Sequence, residues 1–137
     1  MKKIIGIALV LAAAVFLGSC RSAVETDGNV SLEEVADKTY VWEKEGFGGR
    51  FAIVLYGDGT YEFYEGPLSS YIGAGTWRLE KGIVTLTEGE GGYDLVFRFA
   101  VRSGELAFIS EGSDQFLYTR VEDGDRFLPS EKTGLFD

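Results

Sequence analysis

The residues predict an all-β domain: an antiparallel, up-and-down, barrel-like sheet of about eight short strands, preceded by one short helix and a cleaved leader. Three observations carry that prediction. Between Lys38 and Val121, short runs rich in Val, Ile, Tyr, Phe, Thr and Trp recur about every ten residues, which is the spacing of small all-β folds. Glycine-bearing turns separate the runs, at Gly57-Asp58-Gly59, Lys81-Gly82 and Ser103-Gly104. Gly supplies the positive φ that tight hairpins need, and tight hairpins make neighbouring strands antiparallel. Finally, Tyr93, Leu95, Phe97, Phe99 and Val101 alternate with Asp94, Val96, Arg98, Ala100 and Arg102, the pattern of a half-buried strand.

The chain begins with an address. Lys2 and Lys3 precede an apolar and small-residue run from Ile4 to Gly18. A membrane-spanning helix needs about 20 apolar residues, so this shorter run has the length of a signal-peptide core. It ends in Leu17-Gly18-Ser19-Cys20, an aliphatic residue, two small ones and the only cysteine of the chain. That order resembles the bacterial lipoprotein lipobox. The resemblance implies cleavage before Cys20, a diacylglyceryl thioether on its sulfur, and an outward-facing membrane anchor. Two or more acyl chains hold a soluble domain at a bilayer where one chain holds it only marginally.

Residues 1–19 are therefore expected to be a lipoprotein signal peptide. Residues 20–30 are expected to be the lipidated cysteine and a flexible tether, polar and without periodicity. Ser31-Leu32-Glu33-Glu34 fits a capping box that opens a short helix reaching about Asp37. Strands are expected over residues 39–43, 50–56, 60–65, 73–80, 83–88, 93–102, 105–110 and 115–121. The β domain would span residues 31–128. A tail at 129–137, with Pro129 and Gly134, reads as a frayed end.

Alternation nominates an inward set: Phe51, Ile53, Leu55, Tyr61, Phe63, Trp77, Leu79, Leu86, Leu95, Phe97, Phe99, Leu106, Phe108, Phe116 and Tyr118. Small eight-stranded barrels either fill with side chains or hold one small ligand. So many large side chains on short strands predict a largely filled interior.

Three runs carry a family resemblance: Tyr56-Gly57-Asp58-Gly59-Thr60-Tyr61, Gly73-Ala74-Gly75-Thr76-Trp77 and Asp123-Gly124-Asp125-Arg126-Phe127. Together they resemble small lipocalin-like bacterial lipoproteins of uncharacterised function, over roughly Lys38 to Phe127. The resemblance implies the barrel fold and brings no catalytic residues with it.

Composition narrows the chemistry. Thirteen Lys and Arg stand against 22 Asp and Glu, a formal net charge of −9, and His is absent. Loss of residues 1–19, which hold two lysines and no acid, takes the charge to −11. Without His there is no Ser-His or Cys-His nucleophile pair and no His-ligated metal. One Cys excludes an internal disulfide and a cysteine zinc cluster. An acidic surface repels phosphate backbones, so nucleic acid is not expected as a partner. Cationic proteins are favoured instead.

The expected contact residues lie on loops, where rigid scaffolds present binding groups. One group is Leu68, Ser69, Ser70, Tyr71 and Ile72, in a connection longer than a hairpin needs. The other is Phe47, set among Gly46, Gly48 and Gly49. The alternative for both is a plug folded over the barrel end. The glycine clusters at 73–75 and 89–92 precede no helix and no Lys-Ser/Thr, so they are not phosphate cradles. Asp123 with Asp125, and Glu88 with Glu90 and Asp94, read as solvated acidic turns rather than cation loops. No metal, cofactor or catalytic residue is expected. The functional expectation is a lipid-anchored, non-catalytic binding domain in the cell envelope. The alternatives are a lipocalin-type carrier of a small molecule and, less favoured, a carboxylate-based hydrolase.

Overall fold

A computed structural model describes residues 26–44, 49–66, 71–89, 94–132 and 135–136. A single helical turn, α1 (Leu32–Val35), precedes eight strands: β1 (Lys38–Trp42), β2 (Ala52–Leu55), β3 (Thr60–Tyr64), β4 (Ile72–Glu80), β5 (Ile83–Glu88), β6 (Val96–Arg102), β7 (Glu105–Ile109) and β8 (Arg126–Ser130). Each strand pairs antiparallel with the next, and β1 pairs with β8 to close the barrel. The expected all-β, eight-stranded, up-and-down architecture is the one observed.

Local chemistry explains the element ends. Ser31 caps α1, and its N–H donates to Glu34 Oε2 at 2.9 Å, one arm of the expected capping box. The hairpins after β4 and β6 have positive φ at both central residues, 51° and 77° at Lys81 and Gly82, 52° and 78° at Ser103 and Gly104. That is the two-residue turn whose twist matches the strands it joins.

The antiparallel order sorts the connections. Residues 56–59, 81–82 and 103–104 turn at one end, which also carries α1: the helix end. The four longer connections, 43–51, 65–71, 89–95 and 110–125, all leave from the other: the loop end.

Aromatic side chains fill the interior. The expected inward set is buried, except that Leu79 and Leu95 are partly covered and Tyr118 is outside. Val35, Ala36, Tyr40, Trp42, Val84, Val101, Val121 and Phe127 complete the core. Phe116 sits at its centre near the loop end, stacked on Phe97 at 4.0 Å between centroids and edge-on to Phe51 and Phe63 at 5.0 and 5.2 Å. Offset and edge-on pairs of this kind favour aromatic packing beyond area burial alone.

Three expectations require correction. First, residues 115–121 are not the eighth strand. After β7 the chain bonds to short polar side chains instead of a ladder. Ser110 donates through N–H and Oγ to Asp123 Oδ1, and Asp114 exchanges bonds with Val96 through its own N–H and its Oδ2. Asp and Ser compete with strand pairing in this way. The segment therefore crosses the loop end, puts Phe116 inside and leaves Tyr118 61% exposed.

Second, the final strand is β8, which runs past the expected boundary through Pro129 to Ser130. Pro129, opposite Tyr40, needs no N–H bond where it stands near the end of a strand. Beyond it, Leu135 is buried against Ala52 and Val54, and the Phe136 ring lies 4.8 Å from Tyr64. The tail packs on the barrel wall.

Third, the expected tether is fastened from Thr26 onward. Thr26 Oγ1 donates to the Lys81 carbonyl, Asp27 N–H to the Val101 carbonyl, and Asp27 Oδ2 accepts from Ser103 N–H at 2.7 Å.

Candidate functional site at the loop end

Strand parity brings polar groups into the apolar interior at the loop end. On β3, inward positions run Tyr61, Phe63 and then Glu65 just past the strand. On β5 they run Val84, Leu86, Glu88. Before and along β4 they run Tyr71, Gly73, Gly75, Trp77. Register aligns Tyr61 with Gly75, and Gly75 with Glu88, in one row across three strands. Gly75, between the outer members, adds no side chain to the row. A Cβ on Gly73 would run into the Phe63 ring, and one on Gly75 into the Thr87 carbonyl and Glu88 Cα.

Glu65 and Glu88 are both buried, at 3% and 2% exposure, and they have different surroundings. Glu65 accepts from the N–H groups of Leu117 and Tyr118 at 3.2 and 2.9 Å, while its carbonyl accepts from Thr119 Oγ1 at 3.3 Å. It latches the crossing segment that carries Phe116. Burial pushes its carboxyl above the ordinary value, and these donors only partly offset the burial. Glu88 accepts a hydrogen bond from the Tyr71 hydroxyl through Oε2. Its other oxygen has no hydrogen-bond partner among the described residues, and neither does the hydroxyl of Tyr61, which is 1% exposed.

Tyr61 and Glu88 face one another electrostatically. The Tyr61 phenol is held well above its ordinary value, first by burial and then by the negative charge of Glu88. Its ring lies parallel to Phe63 at 6.1 Å. Tyr71, half-buried, meets Phe63 edge-on at 6.2 Å and lies 6.4 Å from exposed Tyr118. Tyr118, Leu117 and Ile72 are large apolar side chains left in water at this end.

Of the residues singled out from sequence, Tyr71 reaches the mouth of the barrel, where it bonds Glu88. Ile72 opens β4 opposite Tyr64 and is substantially exposed. Cys20, Phe47, Leu68, Ser69 and Ser70 lie outside the described residues. Glu65, Glu88 and the hydroxyl of Tyr61 were missed as site residues. Glu88 in particular is no solvated turn residue. The signal was available, because it continues the inward alternation of Val84 and Leu86.

Open clefts mark the surface formed by the described residues. One of about 590 Å³ lies at the helix end between the 27–30 segment, α1 and Tyr40. Another of about 530 Å³ runs over β3 and β4 beside Glu62, Ala74 and Thr76. A third, of about 370 Å³, lies over β4 to β6 beside Arg78, Thr85 and Arg98. Among the described residues, no helix is long and apolar enough to cross a membrane. Comparison with known proteins finds no matching family model, no matching curated protein and no matching solved structure.

Proposed function

We propose that this chain is a non-catalytic binding module of the cell envelope, similar to small lipocalin-like lipoproteins, that binds through the loop end of its barrel. The observation that carries the reading is the asymmetry of the two ends. Short turns and α1 cover the helix end. The loop end gathers every longer connection, exposed Ile72, Leu117 and Tyr118, and polar groups set into an aromatic interior. Exposed apolar groups rimmed by polar ones mark interaction sites.

The proposed anchor fits that polarity. Six residue steps separate Cys20 from Thr26, a reach of at most about 21 Å. Thr26 and Asp27 are tied to turns at the helix end. A lipid on Cys20 would therefore draw the helix end toward the bilayer and present the loop end outward. Cationic partners suit the surface charge, and nucleic acid does not.

A carboxylate-based hydrolase has less support. It needs two carboxyl groups addressing one substrate, and both oxygens of Glu65 are engaged by Leu117 and Tyr118. A carrier of a large ligand has less support too, because the interior is filled by aromatic rings.

The test is a photo-crosslinking amino acid placed at Tyr118 in one strain and at Leu32, exposed at the helix end, in another, with the full chain in its own host. A discrete adduct from position 118 and none from 32 is expected. No adduct at 118, or the same adducts at both, overturns the reading. In the same cells, Cys20→Ser should leave the membrane fraction, and its retention refutes the anchor.

A further inference from the structure

We infer that Glu88 and Tyr71 at the mouth of the barrel, with Tyr61 deeper inside, form a site for one organic ammonium group. The inference rests on the loop end being the binding end and names the chemistry that end selects. Glu88 is a buried carboxyl with no Lys or Arg bonded to it among the described residues, and one of its oxygens has no hydrogen-bond partner there. A buried polar atom left unpaired is costly, and native structures keep one for a reason: strain, a water, an ion or a ligand. Here two such atoms belong to residues of one cross-strand row. The Tyr61 hydroxyl stands in the same cross-strand row, on the far side of a glycine, and its phenol responds to the charge on Glu88.

The donor set favours an ammonium over other ligands. A carboxyl and two phenols offer acceptor oxygens and negative charge, which suits a cation. An anion would meet Glu88. Among the described residues no three Asp, Glu, Cys or His gather as a metal site requires. The Tyr71 ring, whose hydroxyl bonds Glu88, stands edge-on to Phe63, and aromatic faces attract ammonium groups electrostatically. A primary ammonium carries three N–H donors, two of them matched by Glu88 Oε1 and the Tyr61 hydroxyl. Tyr71, half-buried beside exposed Tyr118, links the site to solvent.

The test titrates the full chain, in a non-ionic maltoside detergent, with propylammonium chloride, with Nα-acetyllysine methylamide and with neutral propanol. Nuclear magnetic resonance reads the Gly75 and Gly89 amides and the Tyr61 and Tyr71 rings. Saturable shifts with propylammonium and none with propanol are expected, with affinity falling at least about tenfold, some 1.4 kcal/mol, in Glu88→Gln. A response to the lysine derivative as well assigns the ammonium to a side chain of a partner protein. A response to propylammonium alone assigns it to a free amine.

Absence of shifts with either amine overturns the site and leaves an ordered water as the occupant. Equal shifts with propanol, or unchanged affinity in Glu88→Gln, overturn it as well. Should Glu88→Gln not fold, Tyr61→Phe decides: weakened binding supports the site and unchanged binding overturns it. An adduct at position 118 without amine binding sinks this inference alone, whereas loss of both sinks the binding end with it.

Discussion

Tyr40 and Tyr61 are the same residue type, on β1 and β3 of one barrel, each 1% exposed. Their hydroxyls fare differently. At the helix end, Tyr40 donates to the Val35 carbonyl at 2.9 Å, tying α1 to β1. On the cross-strand row that ends in Glu88 at the loop end, Tyr61 finds no partner among the described residues. Local consistency is what stabilises a fold, and departures from it collect where a protein does its work. The helix end follows the rule. A capping box, a buried Val35 and a satisfied phenol agree with one another. The loop end departs from it, with two buried carboxyls inside an aromatic core.

The strongest test of this contrast asks whether the two ends fold as one. Phe97 is fully buried and carries the 4.0 Å stack with Phe116. Phe97→Ala should cost about 3–5 kcal/mol, the usual range for a buried Phe cut to Ala. Urea unfolding followed at both Trp42 and Trp77 should shift in a single transition. Two transitions would show the ends to be separate cooperative units.

A smaller effect should stay at the loop end. Glu65→Gln replaces one acceptor oxygen with an amide donor facing a backbone N–H, and a buried backbone group left unpaired costs about 1–3 kcal/mol. Hydrogen exchange should speed up at Leu117 and Tyr118 and stay unchanged at Val35. The pH dependence has a definite sign. Burial raises the folded-state value of Glu65 above its ordinary 4.5, so its contribution to stability is full below that value. It is lost as pH rises through the folded value. Glu65→Gln should flatten that decline. An equally steep decline in the variant would mean another group causes it.

The sequence made most of the barrel wall readable because each wall strand repeats one physical pattern, alternation bounded by glycine turns. Lys81-Gly82 and Ser103-Gly104 read correctly since two-residue hairpins depend on their own backbone alone. The 115–121 segment misled for the opposite reason. Gln115, Phe116, Leu117 and Tyr118 have strand-like composition, and what keeps them out of the sheet is remote: Glu65, some 50 residues away, takes the N–H groups a ladder would use. Propensity yields to such tertiary partners. In the real final strand, Pro129 and its half-buried neighbours hid a pairing that barrel closure supplies. Glu88 was legible by parity and was misread by charge, because a carboxylate near glycines is usually a turn.

The smallest effect sharpens the comparison most. Tyr40→Phe removes a satisfied hydroxyl and strands the Val35 carbonyl, a loss of about 1 kcal/mol. Tyr61→Phe removes a hydroxyl that has no partner, so the same change should be neutral or stabilising, since an unpaired buried hydroxyl is itself a cost. Alkaline pH separates them again. Burial raises Tyr40 from 10.0 to about 12. Its contribution is complete below 10.0 and is lost as pH climbs through about 12, because the unfolded phenol releases its proton first. Tyr40→Phe should make that alkaline fall shallower without abolishing it. Tyr61 still resists ionisation inside the barrel, and Tyr56, raised to about 12 chiefly by its hydrogen bond to Glu62, titrates in the same range. If both Phe variants lose the same stability near neutral pH, the Tyr61 hydroxyl has a partner in solution, and the contrast between the two ends is smaller than the geometry makes it.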